Sequence, residues 1–182
     1  MKSLNLVLAL GVLAILAAAD AAPGRAADSD YITRAMSAAP PSVGSGATVV
    51  RMEKDGTMTT LQSGNNGFTC MVVSPSVPMC ADANSMEFMQ AWMKHSAPPN
   101  KSGVAYMLQG DAPGTSNTDP YATSKTPDNH WIVTGPHIML FGPSAKTLGF
   151  PKTSDPDPTK PYMMWAGTPY EHAMIPVTAS QK

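Results

Sequence analysis

The sequence predicts an α+β domain: a mainly antiparallel sheet with one main helix and long polar loops. Three observations carry that expectation. Short alternating segments are separated by Asp-Gly and Asn-Gly turns, one segment has clear helical periodicity, and further strand-like runs follow at turn-separated intervals. The first alternating run covers residues 48–53, and Lys54-Asp55-Gly56 leads to a second over residues 57–62. Glycine tolerates the positive φ that tight hairpin turns need, so this pair reads as a hairpin. Asn65-Asn66-Gly67 repeats the signal before a third run over residues 68–73, giving a three-stranded meander. The helix is expected over residues 85–94, capped by Asp82 or Asn84. Met86, Met89 and Met93 form a stripe beside Phe88 and Trp92, and Pro98-Pro99 ends it. Later strand candidates are residues 104–108, 131–134, 137–141, 162–166 and 172–177. Two polar loops, 110–129 and 151–161, run between them.

Residues 4–19 are an apolar run behind Lys2 that ends in Ala19-Asp20-Ala21. A positive start, an apolar middle and an Ala-x-Ala exit form the pattern of a secretory signal peptide. The run is shorter than the roughly 20 residues a bilayer span needs. Residues 1–21 are therefore expected to be a cleaved leader, and the protein is expected in a periplasmic or extracellular compartment. No membrane association is expected beyond that leader. Residues 22–46, rich in Ala, Pro, Gly and Ser, read as a flexible lead-in, with one or two helical turns allowed over residues 30–38, to a single domain over 47–178, with a short tail over 179–182.

A net charge of −1 with 12 Lys and Arg leaves no electrostatic footprint for nucleic acid or anionic lipid. Leu, Ile, Val and Phe are sparse, but 14 Met, 3 Trp and 5 Tyr supply the missing apolar surface. Near-zero charge separates the chain from disordered sequences, which pair low hydrophobicity with high charge. The resulting core is rich in thioethers, which fill irregular gaps adaptably. Cys70 and Cys80 are the two cysteines, and in an exported chain such a pair reads as a disulfide. They lack the Cys-x-x-Cys spacing of a redox pair.

Several segments then carry a resemblance: Asn66-Gly-Phe-Thr-Cys70, Pro78-Met-Cys80, Met86-Glu-Phe-Met-Gln-Ala-Trp92, Ser116-Asn-Thr-Asp-Pro120, Trp131-Ile-Val-Thr-Gly-Pro-His137, Asp157-Pro-Thr-Lys-Pro-Tyr162 and Thr168-Pro-Tyr-Glu-His172. Together they resemble a group of exported bacterial proteins with no established function. The similarity covers about residues 48–177. It implies one exported domain and brings no activity, ligand or catalytic residue with it.

Chemistry-bearing residues are few. His95 closes the predicted helix, where an imidazole suits the carbonyl end of the dipole. His137 and His172 each begin a predicted strand beside a proline-containing turn. If those strands were neighbours facing one side, the two histidines would share a transition metal, with Glu171 or Met139 nearby. The close-spaced His-x-x-x-His pattern of tetrahedral sites is absent, and otherwise both rings would bond strand-end backbone. The helix methionines fall on the same stripe as Phe88 and Trp92, as core residues do. Met163-Met164 would point to opposite faces of a strand, so a copper-binding run is not read there. Asp111, Asn117, Asp119, Asp128 and Asn129 crowd one loop without an EF-hand register and read as turn formers. No Gly-x-Ser-x-Gly elbow, His-Glu-x-x-His or phosphate loop is present. The expected function is therefore an exported, non-enzymatic domain that binds a small ligand or protein partner through its two polar loops. No cofactor is predicted; a metal at His137, His172 and Glu171 is the alternative.

Overall fold

A computed structural model describes residues 23–74 and 76–177. The expected leader (1–21) and tail (179–182) lie outside the described residues. The fold is α+β. In chain order the described elements are α1 Pro23–Met36, α2 Pro41–Gly44, β1 Thr48–Met52, β2 Met58–Gln62, β3 Phe68–Ser74, β4 Val77–Asp82, α3 Ala83–Met93, β5 Gly103–Met107, β6 Thr115–Ser116, β7 Trp131–Ile132, β8 His137–Phe141, α4 Pro143–Lys146, β9 Tyr162–Met164 and β10 His172–Pro176. Eight strands form one sheet in the order β2-β1-β3-β4-β5-β8-β10-β9, and β6 pairs β7 in a small separate ribbon. Within the eight-stranded sheet only β1 and β3 run parallel. No described helix is long and apolar enough to cross a membrane.

Period-two alternation assigns the two faces. Val50, Met71, Met79, Ala105, Met107, Met139, Phe141 and Met174 face the main core under α3. Val49, Cys70 and Cys80 face the opposite side, against α1. Met163 and Met164 do point to opposite faces, each into its own cluster. The helix α3 starts where expected. Asp82 caps it, accepting the Ser85 N–H at 2.8 Å through Oδ1, while its Oδ2 accepts the Val104 N–H at 3.0 Å. One carboxylate thus fixes both the helix start and the edge of β5. Gly103 is needed there, because a Cβ would lie 2.5 Å from Ser85 Oγ. The buried face of α3 is set by Ser85, Phe88 and Met89, whereas Met93 is 39 % exposed, so the expected methionine stripe is rotated outward at its end.

Two expectations are corrected. Residues 22–46 are expected as a flexible lead-in with no more than a turn or two of helix over 30–38; instead Pro23–Met36 and Pro41–Gly44 form α1 and α2, which pack on the sheet. Ala35 and Ala38 are fully buried, and their small side chains let the backbone come close to the strands. Tyr31 holds the helix in place: its hydroxyl donates to the Val50 carbonyl at 3.0 Å and accepts the Val72 N–H at 3.1 Å. That bridge spans the gap where β1 and β3 diverge after the pairs Thr48–Thr69 and Val49–Cys70.

The meander is the second correction. The Asn65-Asn66-Gly67 turn carries the chain around the start of β1, so β3 pairs parallel on its far side. Gly64 permits this crossing, since a Cβ there would meet the Ala47 carbonyl carbon at 2.2 Å. Residues 77–82 form strand β4. Cys70 and Cys80 lie directly opposite on β3 and β4 and form the disulfide. The 110–129 loop holds β6 and several backbone turns.

Candidate functional site

Alternation on three adjacent strands builds the site. On β5, β8 and β10 the residues facing α3 are Ala105 and Met107; His137, Met139 and Phe141; and His172 and Met174. Register sets Met107 opposite His137, and Met139 opposite Met174. The side chains of Phe88, Met89 and Trp92 on α3 cover one part of this face. Residues 111–123 cover another. Between them lies a cleft of about 390 Å³, lined mainly by methionine and aromatic side chains. Exposed Val73 and Thr123 stand at its edge.

All three tryptophans of the chain line this cleft. Each donates its indole N–H to a carbonyl of the covering segment. Trp131 reaches Pro113 at 2.9 Å, Trp165 reaches Ser116 at 2.9 Å, and Trp92 reaches Pro120 at 3.0 Å. Indole nitrogen is a donor only, so these bonds point one way and hold the segment down. The two polar loops meet each other as well. Buried Asn117 donates to the carbonyls of Thr153 and Ser154 at 3.0 and 2.9 Å, and His130 pairs with Asp155 at 2.8 Å. These contacts tie the second polar loop to Asn117 and His130.

The polar groups at the cleft are few. His137 is fully buried, and its Nδ1 lies 2.7 Å from the Gly135 carbonyl. A carbonyl only accepts, so Nδ1 carries the proton and Nε2 presents a lone pair. That Nε2 is buried without a hydrogen-bond partner. An orphaned buried polar atom costs roughly 1–3 kcal/mol. Burial holds the ring below the usual histidine range, so it stays neutral at physiological pH. Asp111 lines the same cleft and accepts the Thr134 N–H at 2.7 Å. Burial pushes its carboxyl up to about 6. Behind it, the Thr134 and Tyr162 hydroxyls share a 2.8 Å hydrogen bond, and burial raises the tyrosine above its ordinary value.

His172 is boxed by aromatic rings, with the Trp165 and Phe141 centroids at 4.9 and 5.0 Å. Its Nδ1 donates to the Tyr170 carbonyl at 2.9 Å, and burial lowers its pKa to about 4. His137 and His172 do share the cleft and the sheet face, as the sequence suggested. They sit four residues apart along the β8–β10 ladder, about 14 Å between Cα atoms at strand rise. Glu171 does not join them. Its Oε1 accepts Lys152 Nζ at 2.8 Å and its Oε2 accepts the Gly167 N–H at 2.9 Å. Burial opposes the charge on Glu171, but those bonds and the nearby Lys152 and Lys146 outweigh it and hold the carboxyl below its ordinary range. It borders a separate, smaller cavity of about 200 Å³. Among the described residues no group of three His, Cys, Asp or Glu side chains converges as metal ligands would. His95 lies past the end of α3 with its ring stacked on Tyr121 at 4.0 Å.

Sequence reasoning placed the binding surface on the loops and passed over Trp131, Trp165, Met107 and Met174. The period-two alternation within residues 103–107 and 137–141 marks Met107, His137 and Met139 as facing one way. No local signal shows that these strands are neighbours. No family model, curated protein or solved structure matches this chain.

Proposed function

We propose that this is an exported, non-enzymatic binding domain whose ligand is a small, largely apolar molecule held in the cleft beneath residues 111–123. The observation that carries this reading is the lining: a concave surface of methionine and aromatic side chains with only a few polar groups, His137 and Asp111 among them. Ligand sites are commonly of this kind, apolar walls with a few placed polar groups that fix orientation. Methionine walls adapt to ligands of different shape. The reading moves the binding surface from the polar loops to the cleft they cover. The Cys70–Cys80 disulfide is compatible with export to an oxidising compartment.

The test uses N-phenyl-1-naphthylamine, a neutral aromatic probe, titrated into the purified protein. With every tryptophan on the cleft wall, binding is expected to quench indole emission saturably and to brighten the probe. Ala122→Phe, a change at the cleft edge, is expected to weaken that signal while far-UV circular dichroism is unchanged. Linear, unsaturable behaviour in the unaltered protein would refute the reading.

A further inference from the structure

His137 Nε2 is fully buried, unpartnered and fixed in its lone-pair form by the Nδ1–H bond to Gly135. Metal-ligating histidines are commonly held in this way, with the remote N–H on a backbone carbonyl. Register then places three methionines next to His137 on the same sheet face. Met107 is directly opposite on β5, Met139 is two residues along β8 on the same face, and Met174 is diagonal on β10. Directly opposed side chains have Cβ atoms about 4.5–5.5 Å apart and diagonal ones about 7–8 Å, within reach of unbranched methionine side chains. All four residues line the cleft. Leucine would fill the same volume, but only methionine brings a soft lone pair. Thioether sulfur with imidazole suits Cu(I), and hard or borderline ions find no carboxylate or thiolate set here. His172 stands four residues from His137 along the β8–β10 ladder, its ring packed against Phe88, Phe141 and Trp165.

We propose that the floor of the cleft binds a single Cu(I) ion through His137 Nε2 and the thioethers of Met107, Met139 and Met174. The ion enters and leaves as Cu(I), and no proton is released, because every donor is already neutral. The proposal does not rest on the apolar-ligand reading: its donors are four side chains of one sheet face, and its readouts are metal affinity and methyl shifts.

The experiment is an anaerobic titration of the full protein with Cu(I) kept reduced by ascorbate, in competition with bicinchoninate. Stoichiometric binding is expected, with shifts in the methyl resonances of Met107, Met139 and Met174. His137→Ala should lower affinity by more than the roughly 10–100-fold that even an outer-shell change costs. The triple variant M107L/M139L/M174L should lose the ion while its far-UV circular dichroism matches that of the parent, which reports that it has folded. Should that variant not fold, Met139→Leu alone serves, with affinity and methyl shifts as the readouts. Absence of stoichiometric binding, or binding unchanged by His137→Ala, overturns the proposal. Either result leaves the probe titration to decide the ligand reading separately.

Discussion

Asp111→Asn should make the protein more stable at neutral pH. The carboxylate of Asp111 is held in a largely apolar cleft, where burial raises its pKa from 3.8 to about 6. A carboxyl raised on folding destabilises the folded state wherever the unfolded chain would already be ionised. The native state binds more protons between pH 3.8 and 6, so stability falls as pH rises through that window and stays low above it. The displacement corresponds to about 3 kcal/mol at pH 7.5 and about 1 kcal/mol at pH 4.5. Asparagine keeps an oxygen to accept the Thr134 N–H and removes the charge. Buried His172 has the opposite sign. Its pKa, lowered to about 4, costs stability as pH falls below the ordinary histidine value. Both proteins contain His172, so comparing variant with parent cancels it. Urea unfolding with the disulfide intact, followed by tryptophan emission, should show Asp111→Asn ahead by about 2–3 kcal/mol at pH 7.5, with the gap shrinking towards about 1 kcal/mol at pH 4.5. A variant no more stable than the parent at pH 7.5, or a gain that does not shrink in acid, would show that the carboxylate is adequately solvated where it stands.

Two further outcomes are expected. Trp165→Phe removes the indole bond to the Ser116 carbonyl, which should cost about 1 kcal/mol and speed amide exchange across residues 113–123; unchanged exchange there would mean that the indole does not hold the segment. The bridge between Cys70 and Cys80 closes a loop with a sequence separation of 10, worth about 3 kcal/mol in the chain-entropy model. The double Cys→Ala variant should therefore unfold at clearly lower urea, and non-reduced protein should weigh two hydrogens less than reduced protein. Equal midpoints would contradict the bridge's stabilising role.

What the sequence revealed was local. Asp82 and the apolar spacing after it identified α3, because a cap and a 3.6-residue period are written within a dozen positions. Alternation alone located β5, β8 and β10, and the cysteine pair announced its bond. Misreadings arose where tertiary contacts override local pattern. The Ala-rich, Pro-containing segment of α1 has little amphipathic contrast, and it is helical because Ala35, Ala38 and Tyr31 fit against β1 and β3. Asn65-Asn66-Gly67 was a genuine turn signal with the wrong partner, since direction after a turn depends on which strand edge is free.

The same limit governs the site, and it shows why its chemistry is distributed as it is. His137 and His172 were visible as strand-starting histidines, and the sequence could ask only whether they met. The ladder answers with four residues of separation, and it fills the interval with Met139 and Met174 paired across β8 and β10. A histidine that bonds its own turn carbonyl through Nδ1 is structurally satisfied on one side only. At His172 the ring packs among aromatic side chains. At His137 the neighbours on the sheet face are methionines, and the buried nitrogen is left without a partner. Two residues that look equivalent in the sequence thus differ in what their neighbours leave available. That difference makes His137, rather than the pair, the group whose removal should alter binding without dismantling the core.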